Sequence, residues 1–301
     1  MCVANHFYSL ANWWACQFAI PFPQRRPPMQ VPIVLAEMSN SYKALAAGLS
    51  VQGVTMYLFW LGIVGMGAGA AYLFMMQGSL SKTYKKVAIV AGIICAVACF
   101  HYYRMANIYV ESLANAISFD ADGKVVIGTL EAFPTAYRYI DWLITVPLMV
   151  LEFPLLLNLG KKGKPLFWGL GLVSLGMLIF AWVAETNPAS SPTWWICWLI
   201  SCGLWLVMVG MLFTSVTKAA SFLPQDFHPY LGAMKAFIAI GWIIYPIGFL
   251  LPLMGSGGES AREIAYNVAD VINKVGFGVV CVGAAICLSK HEEAGTLPAS
   301  S

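Results

Sequence analysis

Seven runs of predominantly apolar residues, each long enough as a helix to cross the hydrocarbon of a bilayer, follow one another along this chain. They lie at 53–77, 87–110, 133–158, 165–185, 193–216, 229–253 and 262–288. In hydrocarbon every backbone donor and acceptor must be satisfied within the segment or in a closed barrel, and runs of this length are satisfied as helices. The expected fold is an all-α membrane protein, a seven-transmembrane-helix bundle. Composition agrees, since a chain that is 59% hydrophobic and 10% charged has more apolar surface than a soluble domain of its size can cover. The net charge of +3 is small and dispersed, which argues against nucleic acid and leaves the lipid bilayer as the primary partner. The eight cysteines fall mostly within apolar runs, where thiols act as small hydrophobes. No disulfide framework and no metal site follow from their spacing.

The connections are short and polar, with turn formers at Asp120-Ala121-Asp122-Gly123, Gly160 to Pro165, Asn187-Pro188 and Gly255 to Gly258. Lysines mark three of them: Lys82, Lys85 and Lys86 after run 1, Lys161, Lys162 and Lys164 after run 3, and Lys218 after run 5. The alternate connections hold mainly acids. Because cytoplasmic loops retain positive charge, the amino terminus is expected outside and the carboxyl terminus in the cytoplasm. The domain reading is an extension at 1–50, a seven-helix domain at 51–290 and a short cytoplasmic tail at 291–301. For the extension, with its aromatic stretch Phe7 to Ile20 followed by Pro21, Pro23, Arg25 and Arg26, three readings stay open: a targeting segment, an interfacial stretch or a disordered arm. A standard secretory signal is not supported, as the apolar run is short and lacks a basic start.

Ionisable residues inside the runs concentrate the functional signal. Lys274 stands in the middle of run 7, four residues after Asp270. An ammonium at that depth is costly and by default functional, and a carboxylate one turn away is its natural charge partner. Run 3 places Arg138, Asp141, Thr145 and Glu152 near one face of a single helix. At about 1.5 Å rise per residue the two carboxyls are roughly 16 Å apart along the axis, too far to work on one bond and suited to a relay.

With these residues in view, the chain resembles the microbial rhodopsins, and within them the proteorhodopsin group of light-driven proton pumps. The likeness rests on Arg138-Tyr139-Ile140-Asp141-Trp142-Leu143-Ile144-Thr145-Val146-Pro147-Leu148, on Glu152-Phe153, on Trp242-Ile243-Ile244-Tyr245-Pro246 and on Asp270 to Lys274, in order over about 53–288. The resemblance implies all-trans retinal bound covalently to Lys274 as a protonated Schiff base. It implies Asp141 and Asp270 as counter-ions balanced by Arg138, Asp141 as proton acceptor after isomerisation to 13-cis, and Glu152 as a cytoplasmic donor that waits protonated because burial disfavours its charged form. The Asp141, Thr145, Glu152 set points to protons rather than chloride or sodium. His101 is similar to a group histidine that pairs with the acceptor, which implies pumping that varies with pH.

The same resemblance assigns the walls of the retinal slot to Trp142, Trp242 and Tyr245, with Pro246 bending helix 6, Asn273 beside the lysine, and Met177, Trp198, Ser201 and Cys202 near the ring end. Met149 stands where an apolar residue goes with green absorption and glutamine with blue, so green is expected. Trp198 is bulky where relatives with a carotenoid antenna have an opening, so no antenna pigment is expected. Relatives assemble as pentamers, hexamers or trimers, and a homo-oligomer is expected in a plasma or inner membrane, or an intracellular membrane in a eukaryotic host. The alternative within the fold is a sensory photoreceptor signalling through a partner; outside it, a retinal-free receptor or transporter would use Asp270 and Lys274 as a substrate ion pair. Glu259 and Glu263 do not reproduce an archaeal proton-release pair by spacing, and no release group is assigned.

Overall fold

The computed structural model describes residues 39–297; the expectations for residues 1–38 and 298–301 lie outside them. Seven helical spans fill most of this length: Val51–Ser79, Lys85–Ala116, Thr135–Leu157, Gly160–Glu185, Pro192–Ala219, Gln225–Met254 and Ser256–Glu293. Six of the seven expected runs sit inside one span each, and the third, 133–158, overruns its span by two residues at the start and one at the end. Span 7 begins six residues before the apolar run, because a helix continues into the polar interface once its hydrogen-bond ladder is established. Burial separates the spans by position. Spans 2, 3 and 7 have about half or more of their apolar window covered by protein, whereas spans 4, 5 and 6 have about a fifth covered. The buried candidate groups His101, Arg138, Asp141, Glu152, Asp270 and Lys274 lie on spans 2, 3 and 7, and the faces of spans 4 to 6 that carry Leu172, Leu199 and Ile240 are exposed. In a bilayer such apolar faces meet lipid.

Local sequence explains the irregularities. Span 6 is interrupted: an α-helix runs His228–Ala239, a tighter turn follows at Gly241–Ile243, and helix resumes at Ile244–Gly248. Pro246 has no N–H for the carbonyl one turn before it, which loosens the helix on the N-terminal side and produces the bend expected there. At Gly241 a Cβ would collide with the Asn273 carboxamide oxygen, so the missing side chain is what lets spans 6 and 7 approach. Span 7 contains one π-turn, Ile272–Gly276, centred on Lys274. Such single bulges widen the ladder and re-aim side chains, and they frequently mark functional positions.

Two features were not foreseen. Between spans 2 and 3 the chain forms an antiparallel hairpin, β1 (Ile117–Phe119) paired with β2 (Val125–Ile127), with Ile117 opposite Ile127. Its turn is the expected Asp120 to Gly123 segment, in which the Asp120 carboxylate accepts from the backbone N–H groups of Asp122 and Lys124 and Gly123 adopts φ +77. Strands of three residues are too short to register as alternation. Within the expected extension, Asn40–Leu45 forms a short helix whose Ala44 is buried in a cluster with Met105 and Tyr109 of span 2. The six cysteines among the described residues are free.

Candidate functional site

Lys274 is buried at the centre of the bundle, and its Nζ lies 3.2 Å from Asp141 Oδ2 on span 3 and 3.2 Å from Asp270 Oδ1 one turn away on span 7. The two carboxylates are held differently. Asp270 is pinned from three sides: Tyr102 OH donates to Oδ2 at 2.9 Å, Trp142 Nε1 donates to Oδ2 at 3.3 Å, and Tyr245 OH donates to Oδ1 at 2.7 Å. Asp141, just as buried, has no hydrogen bond to either oxygen among the described residues and meets Lys274 as an ion pair by distance alone. Of the two acids facing the amine, Asp270 has its lone pairs committed and Asp141 has them free. Thr145 Oγ1 donates to the Asp141 backbone carbonyl at 3.1 Å, which fixes the helix below the carboxyl without touching it.

Arg138 lies on the hairpin side of this cluster with no exposed surface. Its Nη1 donates to Tyr102 OH at 3.2 Å and stands 3.9 Å from Asp270 Oδ2, while its Nη2 donates to Glu263 at 2.7 Å and to Asn267 Oδ1 at 2.7 Å. The rings of Phe59, Tyr102, Phe133 and Tyr266 lie within 5.7 Å of the guanidinium carbon. A desolvated cation is tolerable in such a setting because carboxylates and ring faces replace its hydration. Beyond it, Arg262 Nη1 donates to Glu185 at 3.0 Å and Arg262 Nη2 to Thr135 Oγ1 at 2.6 Å, and Thr135 donates in turn to Glu263 at 2.6 Å. A connected polar network therefore reaches from Lys274 to the hairpin end of the bundle.

The opposite side of Lys274 is apolar. Glu152 is fully buried and neither of its oxygens finds a side-chain partner among the described residues. A glutamate near a helix end can sit solvated among headgroups; Glu152, with no exposed surface, does not.

A cavity opens from Lys274 between spans 3 to 7. Of the expected pocket residues, Trp142, Met149, Met177, Trp198, Ser201, Cys202, Trp242, Tyr245, Pro246 and Asn273 all line it, together with Lys274 and Asp270. Trp142 and Tyr245 meet edge to face at 5.2 Å. Asn273 Nδ2 donates to the Gly241 carbonyl at 3.1 Å and so ties the loosened turn of span 6 to the lysine's helix.

A family model described as bacteriorhodopsin-like protein matches residues 53–288 of this sequence. The chain belongs to the bacteriorhodopsin-like family. Among curated proteins it is 30% identical over 251 residues to a green-light absorbing proteorhodopsin of Gamma-proteobacterium EBAC31A08, covering 82% of this chain and 92% of that one. It is 31% identical, with the same coverage, to a blue-light absorbing proteorhodopsin of Gamma-proteobacterium Hot 75m4. Among solved structures, Exiguobacterium sibiricum rhodopsin is similar at 36% identity with a TM-score of 0.67, covering 79% of this chain and 98% of that one. The seven spans and this membership make the chain an integral, multi-pass membrane protein.

For this bacteriorhodopsin-like protein one expected contact is not made. His101 does not hydrogen-bond Asp141: its Nδ1 has no partner, both Asp141 oxygens lack one, and its ring packs against Phe100 at 5.6 Å and Tyr137 at 5.7 Å. Sequence reading also missed Tyr102, Thr135, Glu185, Arg262, Glu263 and Asn267 as partners in the polar network. Part of the signal was present, since Glu263, Asn267, Asp270 and Lys274 recur at four, three and four residues and so share one face of span 7.

Proposed function

We propose that this protein is a light-driven outward proton pump with all-trans retinal bound covalently through Lys274 Nζ. The observation that carries the reading is the asymmetry around that amine: an acid with free lone pairs on one side, a polar network beyond it, and an isolated buried carboxyl on the other. The residues fit the group, because a buried primary amine that opens into a cavity walled by Trp142, Trp242 and Tyr245 suits an apolar polyene aldehyde, and nearby carboxylates balance the cation. When bound, retinal supplies a visible chromophore whose isomerisation from all-trans to 13-cis weakens the hold on the nitrogen's proton.

The chain's own groups have distinct tasks. Asp141 takes the proton at its free carboxylate oxygens. Asp270, committed to three donors, stays ionised as the fixed counter-ion. Arg138 keeps the cluster near neutrality and links it to Glu263. Glu152 holds its proton in an apolar layer, where an unpaired carboxylate is unfavourable, and returns it toward Lys274. His101 acts on Asp141 through space rather than as a bonded partner. On this reading Glu152 faces the cytoplasm and the hairpin the outside, as the positive charge of the lysine loops supports, with 1–50, 51–290 and 291–301 as extension, pump domain and tail. Met149 sets green absorption, and the assembly is a homo-oligomer. A sensory photoreceptor is the weaker reading, because it has no use for a buried proton-holding acid at Glu152.

Illuminating vesicles or cells that contain the protein with added retinal tests this reading. Outward proton movement that an uncoupler abolishes is expected, and Lys274→Ala should remove both the visible band and the pH change. Light-driven alkalinisation outside cells near neutral pH, sensitive to uncoupler, would refute the direction; a visible band that survives Lys274→Ala would refute the site.

A further inference from the structure

At the end of the bundle that carries the lysine loops, three side chains remote from Lys274 converge. Cys287 and His291 stand one turn apart on the last helix, Phe277–Glu293, and so share a face. Asp226 comes from the short turn Gln225–Phe227 that opens span 6. His291 Nε2 lies 3.0 Å from each Asp226 carboxylate oxygen, and one donor atom from each of the three residues lies within 4.8 Å of the others. We propose that Asp226, Cys287 and His291 form a binding site for a borderline-soft divalent transition ion, Zn2+ above all, which fastens the start of span 6 to the end of span 7.

The setting of His291 suits a metal ligand. Thr296 Oγ1 stands 2.8 Å from His291 Nδ1, so one ring nitrogen has a hydrogen-bond partner while Nε2 faces the Asp226 carboxylate. Without an ion, an Nε2–H donates to that carboxylate, and the Cys287 thiol lies on the same side. An ion that displaces these protons would take Nε2, sulfur and carboxylate oxygen as ligands. A metal ion uses all three donors, and a ligating histidine whose other nitrogen is hydrogen-bonded is the usual outer-shell arrangement.

Donor chemistry selects the ion. Sulfur, nitrogen and oxygen together suit Zn2+ with three protein ligands and an open fourth position, whereas Ca2+ and Mg2+ prefer all-oxygen sets. Bonds of about 2.0–2.3 Å at tetrahedral angles set ligand atoms roughly 3.5 Å apart. The widest separation must therefore close by about 1 Å, and the exposed Asp226 side chain is free to supply that movement. Glu292 is not a competing ligand, as it is held by Ser81 and Thr83 from the loop between spans 1 and 2. With the ion in place, the last turn of span 7 would join three spans.

The test is a calorimetric Zn2+ titration of the full chain in lipid nanodiscs after chelator treatment, with zinc-edge X-ray absorption on the loaded protein. One Zn2+ per chain with a sulfur ligand is expected, and Cys287→Ser, His291→Ala and Asp226→Asn should each weaken binding at least ~10-fold. No saturable binding, or wild-type affinity in both Cys287→Ser and His291→Ala, would overturn the proposal. Should a variant fail to elute as a monodisperse species, maleimide labelling of wild-type Cys287, mapped by mass spectrometry, decides instead. Labelling slowed by Zn2+ supports the site, and labelling unchanged by Zn2+ overturns it.

Discussion

Removing the guanidinium of Arg138 by Arg138→Gln separates a structural ion pair from a mere neighbour. Losing one partner of a buried pair generally costs about 3–5 kcal/mol, because the surviving charge is left desolvated. The geometry places this case near the lower end. Glu263 would keep Arg262 Nε at 3.2 Å and Thr135 Oγ1 at 2.6 Å, so its charge would remain partly answered. Glu263→Gln should cost a similar amount, since Arg138 would keep Asn267, Tyr102 and a 3.9 Å approach to Asp270. In the double variant neither charge is stranded. The double-variant cost should therefore fall short of the sum of the singles by more than about 1.5 kcal/mol, near the upper limit measured for single interhelical hydrogen bonds in membranes. SDS-induced unfolding of the four proteins in mixed micelles, followed by tryptophan fluorescence, measures the coupling. Additivity within about 0.5 kcal/mol, the value for independent sites, would refute the idea that this contact at 2.7 Å is a working ion pair.

Glu152→Gln removes the carboxyl buried on the apolar side of Lys274; flash spectroscopy should show the late photocycle slowed by about 10²-fold or more, the scale of a lost proton-transfer group, and an unchanged decay would remove Glu152 from the proposed relay. Met149→Gln places an amide in the cavity wall, and the absorption band of the retinal-loaded protein should move to shorter wavelength; no shift would detach Met149 from colour. His101→Asn should alter the pH midpoint of the spectral change that reports Asp141 protonation while leaving the band at high pH in place. A midpoint that does not move would show that the imidazole has no influence on the acid.

How much of this was legible in the sequence depended on the range of the interaction. Hydropathy located all seven spans, because burial in hydrocarbon is a property of each segment by itself. Span ends were blurred, since residues such as Glu259, Arg262 and Glu263 are polar yet continue the helix of span 7. Face spacing correctly grouped Arg138, Asp141, Thr145 and Glu152, all of them buried. What spacing does not carry is which neighbour a face meets. Glu263 reads as a loop acid until span 3 brings Arg138 against it, and Asp226 has no pattern in common with Cys287 and His291 because their meeting depends on how spans 6 and 7 pack. The π-turn at Lys274 was equally hidden, for a one-residue widening of a helix leaves the periodicity around it nearly unchanged.

The two sides of Lys274 differ in a way that bears on direction. Toward the hairpin, polar groups follow one another within hydrogen-bond or ion-pair range: Asp270, Tyr102, Arg138, Glu263, Thr135, Arg262 and Glu185. A charge arriving there meets preoriented dipoles and little further desolvation. Toward the lysine loops, Glu152 stands alone, with Phe153 and Phe277 packed ring to ring at 6.2 Å in the same layer. A charge moving that way would cross apolar packing before reaching any partner. On the proposed reading, a proton released at the amine has its lower-cost exit through Asp141 toward the hairpin, and Glu152 is suited to refilling the amine from the other side. Filling the apolar layer with a second polar group should erode that difference. Val150, Phe153 and Leu156 are all buried on span 3 near Glu152, and a Phe153→Asn variant should lower the number of protons moved per absorbed photon while leaving the visible band in place. An unchanged yield would mean that direction is set by Asp141 and Glu152 alone, without the apolar layer between Lys274 and the lysine loops.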